Sequence, residues 1–211
     1  MLLYKIIFLF SLTVASLKSF EQLPVQIFAG DKSIEYNFLW FKNVDKNEKV
    51  TLFNSTFFNV HYKDKDKNVY EVFQVATYNL NKNWGIGGGG RFTGGEFVPQ
   101  FSVSYQLMTE SLYLNLFPSL QYSLSAKGIQ YSLFGLLFYT PKINKSWKMF
   151  NQISFEPLFN NYQHIYSYQQ IRVGLSYKDM VQFGVGVKLD QVNKSFLFNK
   201  NIGFFVRKEL R

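Results

Sequence analysis

The chain has 211 residues, enough for one domain, and no Pro/Ser-rich linker divides it. It contains no cysteine, which excludes a disulfide framework, a thiolate metal site and a lipid-modified cysteine. The net charge is +9, but the lysines fall in scattered turn segments and form no continuous stripe, so nucleic acid is not an expected partner.

Residues 1–19 read as a secretory signal peptide. Lys5 precedes the apolar run 6–15, and Val14, Ala15 and Ser16 offer small residues for cleavage. The run is too short to cross a bilayer as a helix. The expected organisation is this leader followed by one β domain over 20–211.

From there apolar and polar side chains alternate with period two, which is the mark of a strand. Segment 23–28 is short and closes at Gly30 and Asp31, a pair that tolerates positive φ. Segment 33–42 sets Ile34, Tyr36, Phe38 and Trp40 against Ser33, Glu35 and Asn37. Segment 50–62 follows a polar turn and ends at a Lys/Asp-rich tip, 63–68. Segment 69–80 is strand-like, but its two faces cannot be told apart. Segment 84–92 carries Gly85, Gly87, Gly88, Gly89, Gly90 and Arg91. No helical periodicity follows, so these glycines are read as places of close approach or bending within a strand, not as a phosphate loop.

The cleanest alternation lies at 97–123. Phe97, Pro99, Phe101, Val103, Tyr105 and Leu107 oppose Val98, Gln100, Ser102, Ser104 and Gln106. After 108–111, Leu112, Leu114, Leu116, Pro118, Leu120 and Tyr122 oppose Tyr113, Asn115, Phe117, Ser119, Gln121 and Ser123. The apolar face is long enough for a tilted strand to cross a bilayer, and the other face resembles a polar lumen. Pro118 removes a ladder donor here; a bulge is one way to absorb it, which the sequence does not decide. Segments 129–140, 147–159, 170–177, 181–189 and 201–210 complete the series.

The predicted fold is therefore all-β: an antiparallel, up-and-down transmembrane barrel of the outer membrane with about twelve strands, ten being the alternative. Aromatic residues at 19% suit a lipid-facing wall with aromatic rims. The two longest connections, 159–168 and 190–200, fall opposite the C-terminus and orient that end outward. Gln100, Gln121, Gln130 and Gln152 are expected to line the lumen together with the cations Arg91, Arg172 and Lys188, with Glu35 and Glu156 as anions. Buried ions must be paired or hydrated. Around a water-filled path the cations would favour anion passage. The functional expectation is a narrow pore for small solutes, anions included, with a non-conducting structural or accessory protein as the alternative. Membrane lipid and lipopolysaccharide are the expected surroundings.

No catalytic residue, cofactor or metal site is expected. The chain has two histidines. His61 falls near the carboxylates Asp64 and Asp66, and His164 falls in the predicted loop 159–168. Neither lies in a hydrolase signature that pairs His with a nucleophile, so an outer-membrane hydrolase is the least favoured reading.

The stretches 40–46 (WFKNVDK), 74–79 (QVATYN) with 84–86 (WGI), 168–174 (YQQIRVG) and 203–210 (GFFVRKEL) resemble small outer-membrane barrel proteins of Bacteroidota. The resemblance runs from about residue 30 to the end. It implies the barrel and its membrane, and it carries over no functional residue. Such proteins usually end in an aromatic insertion signal, whereas Lys208 and Arg211 interrupt it here.

Overall fold

The structure, a computed structural model, describes residues 23–161, 163–192 and 197–210. The expected signal peptide lies outside the described residues. The strands are β1 (Leu23–Gly30), β2 (Ser33–Asn43), β3 (Val50–His61), β4 (Val69–Asn79), β5 (Trp84–Thr93) and β6 (Glu96–Met108). They continue as β7 (Leu112–Ser123), β8 (Gly128–Tyr139), β9 (Trp147–Asn160), β10 (Gln163–Tyr177), β11 (Val181–Val192) and β12 (Leu197–Leu210). Each pairs with its sequence neighbour, and β1 pairs with β12, so the sheet closes into a twelve-stranded barrel.

The closing seam runs from Leu23 opposite Leu210 to Gly30 opposite Gly203. A Cβ on Gly203 would run into the Ala29 carbonyl, so only glycine allows this approach. Side chains fasten the far end of the seam. The Asn201 amide donates to the Ser33 Oγ at 2.8 Å, and its oxygen accepts the Lys32 N–H at 3.0 Å. Asp31 accepts the Ile202 N–H at 2.8 Å.

Alternation sorts the residues as expected along most strands. On β9 to β12 the outward residues Ile153, Ile171, Val173, Phe183, Val185, Phe204 and Val206 are exposed, while the inward Gln152, Arg172 and Gln182 are buried. Large apolar side chains outside and polar ones inside invert a water-soluble fold. This is the pattern of a wall that faces lipid.

Three expectations are corrected. The predicted loops 159–168 and 190–200 are mostly strand, because β9 and β10 are joined across residues 161–162 and β11 and β12 across 193–196. Their polar residues belong to strand ends, where alternation fades. The longest connections are now 62–68 and 140–146, at opposite ends, so loop length no longer orients the barrel. Pro118 is accommodated without a bulge. Ser102 pairs with Ser119 and Tyr105 with Leu116 in one register, and the ladder skips the positions between them. The same gap occurs beside Pro157, between the pairs Ser132–Leu158 and Gly135–Phe155. Finally, the middle of the interior is aromatic. Phe53, Phe73, Val75, Phe117, Phe134 and Leu136 form one buried cluster inside the barrel. Segment 69–80, whose face was unassigned, contributes Phe73 and Val75 to it.

Candidate functional site

The aromatic cluster divides the interior. Phe53 stacks on Phe41 (centroids 4.7 Å apart) and on Phe117 (5.4 Å), with Phe73 edge-on at 5.3 Å. A second group, Phe28, Phe150 and Phe205, fills the adjoining wall with Phe138 packed against it. Two guanidiniums are sandwiched there. Arg172 lies 5.3 Å from the Phe28 ring, and Arg207 lies 4.9 Å from the Phe138 ring. Gly186 makes the room, since a Cβ there would press on the Arg172 side chain at 3.0 Å.

Above this layer a vestibule of about 1060 Å³ opens at the end opposite the chain termini, bordered by His61, Lys67, Gly94, Gly95 and Ser125. Below it, a recess of about 660 Å³ opens at the other end, lined by Phe41, Lys49, Asn81, Gln106 and Tyr113 among others. No residue lines both cavities. Among the described residues the aromatic layer stands between them, with Phe134 and Leu136 bordering the vestibule and Phe41 and Tyr113, packed on the same layer, lining the recess.

The ions of the interior are paired. Arg91 bonds the Glu156 carboxylate and lies 3.5 Å from that of Glu71, with its guanidinium 5.1 Å from the Phe73 ring. Lys188 lies 3.3 Å from Glu35 and 3.6 Å from Asp190, over the Phe57 ring at 4.6 Å. Arg172 also meets Glu35, at 3.6 Å, and Gln170 donates to the same carboxylate at 3.0 Å. Tyr166 donates to Asp190 at 2.5 Å.

The seven residues expected to line the lumen are all buried. Arg91, Gln121, Gln130, Gln152 and Lys188 border the vestibule. Gln100 and Arg172 do not: the Gln100 amide donates to the Ser119 Oγ at 3.4 Å, and Arg172 packs against Phe28 and Phe205. Gln121 donates to Gln130 at 3.1 Å, so these two amides bond each other across β7 and β8. Of the two alternatives for buried ions, paired or hydrated, the cations take the first: Arg91, Arg172 and Lys188 meet four carboxylates, Glu35, Glu71, Glu156 and Asp190. Sequence reasoning missed Glu71 and Asp190. Asp190 stands one alternation step beyond Lys188 on β11, which was a usable signal. It also missed that half-buried Leu39, Phe57, Leu158, Tyr166 and Tyr168 border the vestibule.

His61 borders the vestibule, with its ring 3.5 Å from the Asn59 amide. His164 stands on β10, not in a loop, beside the bulge between His164 and Tyr166. Its Nε2 lies 2.6 Å from the Ser167 Oγ. Pairing of His164 with Phe159 and of Ser167 with Pro157 puts both on the outward face, since Tyr168 and its partner Glu156 face inward.

A closed antiparallel sheet with an apolar exterior, a charged interior and a vestibule at one end defines a transmembrane β-barrel. No protein-family model and no curated protein matches the chain. Among solved structures it is similar to the NanC porin, with a TM-score of 0.53 at 13% identity, over 90% of this chain and 100% of that one. It is likewise similar to the KdgM porin, with a TM-score of 0.51 at 14% identity and the same coverage. The likeness is one of fold.

Proposed function

We propose that the chain is a bacterial outer-membrane protein of the Bacteroidota type described above, whose lumen is a narrow pore for small solutes. The carrying observation is the pair of cavities entering from opposite ends, with the aromatic side-chain layer between them and no strand of the described residues crossing the interior. The porin folds it resembles support this reading. With an even number of strands both chain termini lie at one end, and placing that end in the periplasm turns the vestibule to the cell exterior, in contact with lipopolysaccharide; the pore reading assigns the barrel no catalysis. Because the interior cations are paired, any anion preference comes from the tip of residues 63–68, where Lys67 borders the vestibule beside Asp64 and Lys63 and Lys65 are exposed. The test is conductance of the refolded protein in planar bilayers, on samples whose gel mobility changes on heating as closed barrels require. Discrete openings are expected. Folded protein that passes no current would favour a structural or accessory role.

One observation favours a second reading, an outer-membrane lipid hydrolase. His164 and Ser167 stand as base and nucleophile would, on the face that meets lipid. A fluorophosphonate probe should label Ser167 if this holds, and Ser167→Ala should abolish the label. An unlabelled wild-type protein ends this reading.

A further inference from the structure

The vestibule does not present the surface that its polar residues suggest. Its amides and ions are the buried part of the wall. Gln121, Gln130, Gln152, Arg91, Glu156 and Lys188 all border it and all are at most 8% exposed. The ions pair with one another, and the Gln121 amide donates to the Gln130 oxygen, while the buried oxygens of Gln121 and Gln152 have no hydrogen-bond partner among the described residues. What stands forward is half-buried Leu39, Phe57, Leu158, Tyr166 and Tyr168. The floor is made by Phe134 and Leu136. Binding cavities for small molecules have this composition, with apolar and aromatic walls and a few placed polar groups.

We propose that the vestibule is a binding site for an uncharged amphipathic solute, a ring-sized molecule with a flat apolar face and a hydroxyl-bearing edge. This rests on the pore reading only in treating the vestibule as the entrance. Among the described residues, the interior cations Arg91, Arg172, Lys188 and Arg207 are each already paired with a carboxylate. To bind an anion, Arg91 or Lys188 would have to leave a buried carboxylate partner, which exposes a buried charge to loss of its pair. An uncharged ring instead covers Phe57 and Leu158 and displaces water from apolar surface. Half-buried Asn37, Ser55 and Thr93 border the same space and can bond its hydroxyls.

The experiment is titration calorimetry on the detergent-folded full chain, corrected with protein-free micelles, using three water-soluble probes. These are p-nitrophenyl glucoside (uncharged and amphipathic), p-nitrobenzoate (anionic) and glucose (without an apolar ring substituent). The glucoside should bind, with the benzoate at least about tenfold weaker and glucose weaker still. Phe57→Ala should weaken glucoside binding about tenfold, the worth of one good ring contact. Leu158→Trp should block it by filling the space, and both variants should keep heat-dependent gel mobility. The proposal is overturned if the benzoate binds as well as the glucoside, if no probe binds, or if both folded variants bind unchanged. Bilayer conductance in potassium chloride separates the two readings. A barrel that binds the glucoside without conducting keeps this site and loses the pore, and one that conducts without binding loses only this site.

Discussion

Two cations depend on Glu35. It is 1% exposed and shares its carboxylate between Arg172 and Lys188. Lys188 has Asp190 as a second partner, whereas the ion pairs of Arg172 are with Glu35 alone among the described residues. Glu35→Gln should therefore leave a buried guanidinium uncompensated and cost roughly 3–5 kcal/mol, the usual penalty for breaking a buried pair. Urea unfolding from lipid vesicles would read the loss, and Glu35→Gln combined with Arg172→Gln should restore part of it. An unchanged midpoint for the single variant would mean that water reaches Arg172. Alternation could place Glu35, Arg172 and Lys188 inside from the sequence. It could not pair them, because Glu35 and Arg172 are joined only by the way the barrel wraps.

At the scale of a strand, one alternation step should decide tolerance to charge. Ile153 and Gln152 are neighbours on β9, one exposed on the outer face and the other bordering the vestibule. Ile153→Arg should cost roughly 2–4 kcal/mol if it sits near the bilayer midplane. Gln152→Arg has space into which to extend, so its folding yield in vesicles should stay near wild type. Pro118 offers a test of the ladder. Pairing with β6 is interrupted there and pairing with β8 continues, so its missing N–H points toward β6. Pro118→Ala should supply that donor and stabilise the barrel by about 0.5–1.5 kcal/mol, read from the same urea curves. The β2–β3 turn titrates. The Asp45 carboxylate accepts the Val50 N–H at 2.7 Å and the Asn47 N–H at 3.2 Å, and the Val50 bond is the main cause of its lowered pKa. Its contribution is present above the ordinary aspartate value of about 3.9 and is lost as pH falls through the lower folded value. The Val50 amide resonance should titrate with a midpoint below that value, and Asp45→Asn should abolish the titration. Strand existence and most faces were legible because alternation is unambiguous in the bilayer-crossing body. The far ends of β9 to β12 were not, because polar residues there occupy both faces and look like loop.

Across the whole molecule the aromatic layer is what an open pore would have to move. Phe53 and Phe117 stack between the two cavities. Replacing both with Ala should join the cavities and raise single-channel conductance several-fold, while heat-dependent gel mobility persists. Unchanged conductance would show that current takes another path or that the layer already swings aside. The sequence did not disclose this layer, since an inward Phe and an outward Phe obey the same period-two pattern. Only the closed sheet decides which is which.

The seam between β1 and β12 also sets an order of events. All other ladders join strands adjacent in sequence and can zip as each hairpin emerges, but β1 is made first and waits for the last strand. Until then both edges carry unpaired backbone groups, which lipid cannot satisfy. A chain truncated before β12 thus has no stable inserted form, and its growing sheet needs a temporary cover for the β1 edge. Asn201, Asp31 and the tight glycine contact at Gly203 lie toward the far end of that seam. They act as its latch, made last, and fix the register in which the first and final strands meet.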